Sequence, residues 1–202
     1  FADDANIVNT NASSGDHSLY FVGVGAGGPQ DVVLPFGSGA PYTIGDFEFS
    51  ANFFVDIGTG AYFNFQAENT PGITWSMQVE MDAVGNISFY DELYQSGPLL
   101  LSTTYPMGQW FEIKLEIDLT NNNWEVFIDG VSQGSFANTI NQIASLNLYP
   151  EAGHEFYVDD ICYNYTSSDT YNVSTTPANR NIVLEQFGGV NCTYCPDGHR
   201  IV

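Results

Sequence analysis

Apolar and polar residues alternate with a period of two through most of this chain. Phe111, Ile113, Leu115, Ile117 and Leu119 interleave with Glu112, Lys114, Glu116 and Asp118, which predicts a long strand with one face in a core and the other in water. Phe47, Phe49, Ala51 and Phe53 repeat the pattern around Glu48, Ser50 and Asn52. Further strands are expected near residues 18–24, 61–66, 74–81, 86–90, 123–128, 131–136, 144–149 and 155–163. Turn residues separate them at short spacing. Asn121 to Asn123 join two of the strongest strands, and Asp129-Gly130 supplies two residues that tolerate positive φ, as a tight hairpin requires. No long stretch has helical period before residue 188. Residues 1–165 are therefore expected to be all-β, two antiparallel sheets packed as a β-sandwich or jelly roll. Phe49, Phe53, Phe111, Ile113, Leu115, Trp124 and Val126 should share the core, because a one-residue slip would expose the whole set.

The pattern breaks at residues 166–179, which are polar, rich in Ser and Thr and closed by Pro177, as an interdomain linker is. Residues 180–202 then open on the apolar run Ile182, Val183, Leu184 and lead through Gly188-Gly189 into Cys192-Thr193-Tyr194-Cys195-Pro196. This predicts a strand, a loop and a helix start that ends at Val202 before a domain is complete. Composition narrows the function classes. The chain has 202 residues, of which 24 are Asp or Glu and 3 are Lys or Arg, for a formal charge of -21. With 44% of its residues apolar it has the means to fold, unlike a disordered acidic tail. So few cations exclude nucleic acid and anionic membrane surfaces as partners. No apolar run approaches the ~18 residues of a spanning helix, so membrane insertion by this chain is not expected.

Two resemblances add to this reading. The run Gly108-Gln109-Trp110-Phe111-Glu112-Ile113-Lys114-Leu115-Glu116-Ile117-Asp118, followed by Trp124 to Gly130, resembles the laminin G-like and concanavalin A-like family. Phe156-Tyr157-Val158-Asp159-Asp160-Ile161 is similar to the closing strand of such modules, and Ser18-Leu19-Tyr20-Phe21 to an early one. The resemblance implies a jelly roll that recognises carbohydrate or a surface protein, as a component of a cell-surface assembly. The run from Asn181 to His199, with Cys-x-x-Cys-Pro-Asp-Gly-His at its end, resembles the opening of thioredoxin-like proteins related to a bacterial outer-membrane protein family. That implies a secreted or cell-surface bacterial protein, on the exterior of the outer membrane.

The candidate sites follow. Cys192 and Cys195, at a helix N-terminus, suit a redox pair with Cys192 as nucleophile, or an inert disulfide; a zinc site with His199 lacks a fourth ligand. Cys162, in an alternating strand among aromatics, is expected to be a buried free thiol. Asp159 and Asp160 adjoin in a strand, so they should face opposite sides, and the family resemblance makes them candidates for a structural Ca²⁺. Trp75 is the candidate for stacking on a ligand, whereas Trp110 and Trp124 are expected in the core. Glu116-Ile117-Asp118 and Glu80-Met81-Asp82 invite comparison with glycosidases of the same fold, but neither has a second carboxyl in view and no catalytic residue is assigned. The leading expectation is a non-catalytic recognition or adhesion module attached to a thioredoxin-like domain. An extracytoplasmic thiol-disulfide oxidoreductase is the alternative, and a glycoside hydrolase the minor one.

Overall fold

Alternation becomes architecture in thirteen strands, seen in a computed structural model that describes residues 4–37 and 39–167. In chain order they are β1 (Asn6–Val8), β2 (Ser18–Val22), β3 (Val32–Pro35), β4 (Asp46–Val55), β5 (Ala61–Gln66), β6 (Trp75–Met81), β7 (Asn86–Tyr90), β8 (Leu99–Thr104), β9 (Trp110–Asp118), β10 (Asn123–Ile128), β11 (Val131–Phe136), β12 (Ser145–Leu148) and β13 (Glu155–Thr166). One 3-10 turn, Tyr94–Ser96, lies between β7 and β8. A seven-stranded sheet has the order β1-β2-β13-β4-β9-β10-β11, and a six-stranded sheet the order β3-β12-β5-β6-β7-β8, with every pairing between strands antiparallel. These residues belong to the first of two units into which the chain divides, Phe1–Asp169; the second, Thr170–Val202, lies outside the described residues, as do Cys192 and Cys195.

The core is a layer of rings between the sheets. From the seven-stranded side β4 contributes Phe47, Phe49 and Phe53, and from the six-stranded side β5 contributes Phe63 and Phe65. They meet edge to face and offset, with Phe49 and Phe65 centroids 5.1 Å apart at 87° and Phe53 and Phe63 5.3 Å apart at 27°, the arrangements that the ring quadrupole favours. All seven residues expected in the core from the alternation are there, each at most 2% exposed. Glu112 and Glu116 stand on the opposite face of the sheet, in register with Asn52 and Glu48 of β4. Asp129 and Gly130, with φ of 48° and 73°, form the two-residue hairpin between β10 and β11. Among the described residues no helix is long and apolar enough to cross a membrane.

Two expectations about single residues are corrected. Trp110 immediately precedes Phe111, so when Phe111 enters the core the strand's alternation turns Trp110 out. Its indole packs on Phe54 and Tyr157 and donates through Nε1 to Asn11 Oδ1 at 2.9 Å. Cys162 is exposed. The cause is a bulge in β13, whose register runs Asp159 to Asn52 and then Cys162 to Ser50, so that Asp160 and Ile161 together oppose the single Ala51. Asp160 takes a φ of 50° there, and beyond it the inward parity passes from Phe156 and Val158 to Tyr163 and Tyr165. The thiol is thereby turned outward with Ser50.

This packing sets the cost of truncation. Phe111→Ala should lower the unfolding free energy by ~3 to 5 kcal/mol, read from urea melts, while Glu116→Ala should change it by no more than ~0.5 kcal/mol.

Candidate functional site

The outer face of the six-stranded sheet is polar; its centre on β12, β5 and much of β6 is buried, while β7 and β8 leave their outer residues half-buried or exposed. On β5 every residue is buried, although Tyr62, Asn64 and Gln66 alternate with the core residues Ala61, Phe63 and Phe65 and so point away from them. Register aligns these side chains with their neighbours in cross-strand rows. One row runs Asn147, Asn64, Gln78, Tyr90 across β12, β5, β6 and β7. A second runs Tyr62, Glu80, Ser88, Ser102 across β5 to β8. A third joins Ser145 and Gln66 to Trp75, after a bulge at the start of β6.

Three members of the first row, Asn147, Asn64 and Gln78, join through Tyr62 of the second into one hydrogen-bonded line. Asn147 Nδ2 donates to Asp31 Oδ1 and to the Val32 carbonyl, so Asn147 Oδ1 is left to accept from Asn64 Nδ2 at 2.9 Å. Asn64 Nδ2 also reaches the Tyr62 hydroxyl at 3.2 Å, and that hydroxyl donates to Gln78 Oε1 at 2.6 Å. Gln78 Nε2 ends the line on the Glu92 carbonyl at 2.8 Å. The polarity of each amide is set by the next, and both ends are anchored on loops beside the sheet. Two oxygens on this face have no partner, Asn64 Oδ1 and Ser145 Oγ; Asn138 Oδ1, near the start of β6, is the third such atom among the described residues.

A cluster of titratable groups borders the line. Glu80 of β6 and Glu151, from the loop that precedes β13, lie near each other and near the Tyr94 hydroxyl. Gln95 Nε2 donates to Glu80 Oε2 at 2.7 Å. Tyr94 holds a left-handed φ of 54°, a strained backbone for a bulky residue, and its ring meets those of Tyr62 and Tyr90, each at 5.5 Å. Burial and the neighbouring Glu80 charge raise the Glu151 pKa above the usual carboxylate range. Burial likewise pushes the Tyr94 phenol upward, helped by the charges of Glu151 and Glu80, and holds the His154 imidazole below its usual value against the opposing pull of Glu80. His154 Nδ1 accepts the Glu151 backbone N–H at 3.2 Å, which only an unprotonated Nδ1 can do. Gly60 makes room for that ring: a Cβ there would lie 2.5 Å from the Met81 carbonyl oxygen and 2.9 Å from the imidazole.

The residues singled out in the sequence separate accordingly. Trp75 is half-buried and on this face, in register with Gln66. Glu80 is not alone, because the fold brings it a second carboxylate from Glu151, 71 positions along the sequence. Glu116 instead shares Lys114 with Glu48, at 2.8 and 3.1 Å, beside a groove of about 310 Å³ on the other sheet. Asp159 and Asp160 do not face opposite sides, since the bulge swings Asp160 round to the same loop: Asp159 Oδ2 accepts from the Ser13 and Ser14 amides, and the Asp160 oxygens accept from Ser14 Oγ and Asn52 Nδ2. Asp159 Oδ1 accepts from the Asp160 amide. Each of the four oxygens accepts an N–H or O–H donor, and the pair alone does not supply the six or more oxygen ligands that Ca²⁺ takes. No cluster of three or more His, Cys, Asp or Glu side chains able to hold a metal occurs among the described residues. Glu151, Tyr94 and His154 were not visible from the sequence, because all three come from loops or strand ends with no motif spacing.

No protein-family model matches the chain, and no curated protein sequence matches it. Solved structures do share its fold. "Cellulose induced protein, Cip1" superposes with a TM-score of 0.57 at 13% identity, over 82% of this chain and 88% of that one. A carbohydrate binding module, CBM66 from Bacillus subtilis, aligns with a TM-score of 0.50 at 11% identity, over 80% of this chain and 92% of its own. A sialidase matches with a TM-score of 0.56 at 12% identity over 82% of this chain, which spans only 16% of that protein's length. At such identities the likeness bears on the fold alone, a two-sheet antiparallel β-sandwich, for the described residues.

The raised Glu151 pKa has a signed consequence. A carboxyl with a folded-state pKa above its unfolded value weakens the fold as pH rises through that interval and has no effect below the unfolded pKa. Glu151→Gln should therefore be as stable as the parent near pH ~4 and progressively more stable toward pH ~7, a divergence that urea midpoints across that range would record.

Proposed function

We propose that residues 1–165 are a carbohydrate-recognition module of a secreted or cell-surface bacterial protein, which binds its ligand on the outer face of the six-stranded sheet. The wired row from Asp31 to Glu92 is the observation that carries this reading. Sugar recognition needs several preoriented hydrogen-bonding groups and an apolar ring to lie against the pyranose face. This surface offers Glu80, Glu151, Ser88 and Gln95 as polar groups, with Trp75, Tyr90 and Tyr94 as rings, beside the buried line of amides. The similarity in fold to structures named for carbohydrate binding and cellulose induction supports the same reading. Attachment to a thioredoxin-like domain from residue 180 is part of the proposal; it rests on the Cys192 to His199 motif, and the oxidoreductase alternative rests on that motif alone.

Affinity electrophoresis and calorimetry against a panel of soluble polysaccharides test the assignment. At least one should bind, and Trp75→Ala and Glu80→Gln should each weaken it by about tenfold or more while the protein stays folded at the assay temperature. A panel with no binder, or binding indifferent to both substitutions, would overturn it.

A further inference from the structure

On the basis of that reading, we infer that the outer face of the six-stranded sheet selects uncharged, hydroxyl-rich glycans and excludes those bearing uronate or sulfate, because it presents acceptors without a cation.

The amide donors of the central line are committed. Both Nδ2 hydrogens of Asn147 go to Asp31 and Val32, those of Asn64 to Asn147 and Tyr62, and Gln78 Nε2 goes to Glu92. Two buried oxygens here have no partner: Asn64 Oδ1, which only accepts, on a residue 1% exposed, and Ser145 Oγ, a hydroxyl that can donate or accept. Because Asn64 Nδ2 lies between two acceptors, its amide cannot turn over without losing both bonds, so its Oδ1 stays an acceptor. At the border Glu80 and Glu151 add two carboxylates beside the Tyr94 hydroxyl, and Gln95 Nε2 donates to Glu80 Oε2 at 2.7 Å. A sugar hydroxyl can donate to a carboxylate in the same way as that amide. A uronate or a sulfate ester only accepts, and would set its charge against Glu80 and Glu151. Lys114 is the sole Lys or Arg among the described residues, and it lies on the other sheet in ion pairs with Glu48 and Glu116. Among the described residues no guanidinium or ammonium is present on this face to reverse the preference.

The chain's overall charge repels anions as well, so the test must separate local from global repulsion. Binding of a neutral oligosaccharide and of an oligouronate of equal length should be measured at about 0.15 M and about 0.5 M salt, since added salt shortens the reach of the global field far more than that of adjacent carboxylates. The neutral ligand should bind equally at both, and the oligouronate at least tenfold more weakly at both. Glu80→Gln combined with Glu151→Gln should narrow that ratio to threefold or less, whereas Glu116→Gln with Asp118→Asn, which removes the same charge from the other sheet, should leave it unchanged. An oligouronate that matches the neutral sugar on the parent protein at the higher salt overturns the selectivity while leaving carbohydrate recognition intact, and this arm needs no variant. Equal gains from both charge-removing pairs also overturn it. If neither sugar binds, the underlying reading fails along with the inference.

Discussion

The interleaved phenylalanines of β4 and β5 are the constraint on which every other position depends. Phe47, Phe49, Phe53, Phe63 and Phe65 lock the two sheets face to face, and because a strand shows its side chains alternately, fixing these inward residues fixes what their even-numbered neighbours present on the outer sides of β4 and β5. Asn64 can stand beside Asn147 and Gln78 only because Phe63 and Phe65 flank it in the core. The polar face is thus not a separate construction laid on a scaffold. It is the reverse side of the same strands, positioned by apolar burial worth about 25 cal/mol per Å².

Much of this was legible from periodicity, and the failures have physical causes. The alternation in Phe111 to Leu119 predicted both a strand and its orientation, and all seven proposed core residues are buried. The short strands β1, β3 and β8 went unread, since Asn6–Val8 and Val32–Pro35 are too brief to show a period and Leu99 to Leu101 is apolar without alternation. Asp160 and Cys162 were misplaced for one reason. A bulge adds a residue without any obligatory composition, and it inverts parity for all that follows, so strict alternation carried past Asp159 points every later side chain the wrong way.

The candidate site divides in the same manner. Glu80 and Trp75 lie on strands, where sequence places them on a face; Glu151, Tyr94 and His154 lie on connections, where only the closed fold says what they meet. The pairing of Glu80 with Glu151 depends on the chain returning from β12 past Gly60, which leaves the imidazole of His154 and the loop before β13 room to approach. Chemistry assembled from such distant segments leaves no spacing to recognise.

A strand exposed on one side has a simple defence against sliding along its neighbour, because a one-residue shift would wet its apolar set. β5 lacks it, since Ala61 to Gln66 are buried on both sides. For this strand the line from Asp31 through Asn147, Asn64, Tyr62 and Gln78 to Glu92 supplies the missing selectivity. A slip of one position would bring Phe63 and Phe65 against amides and strand several buried donors at once, so the polar row acts as a combination lock on strand register. The arrangement assigned to ligand recognition also makes the sheet fold in one alignment only.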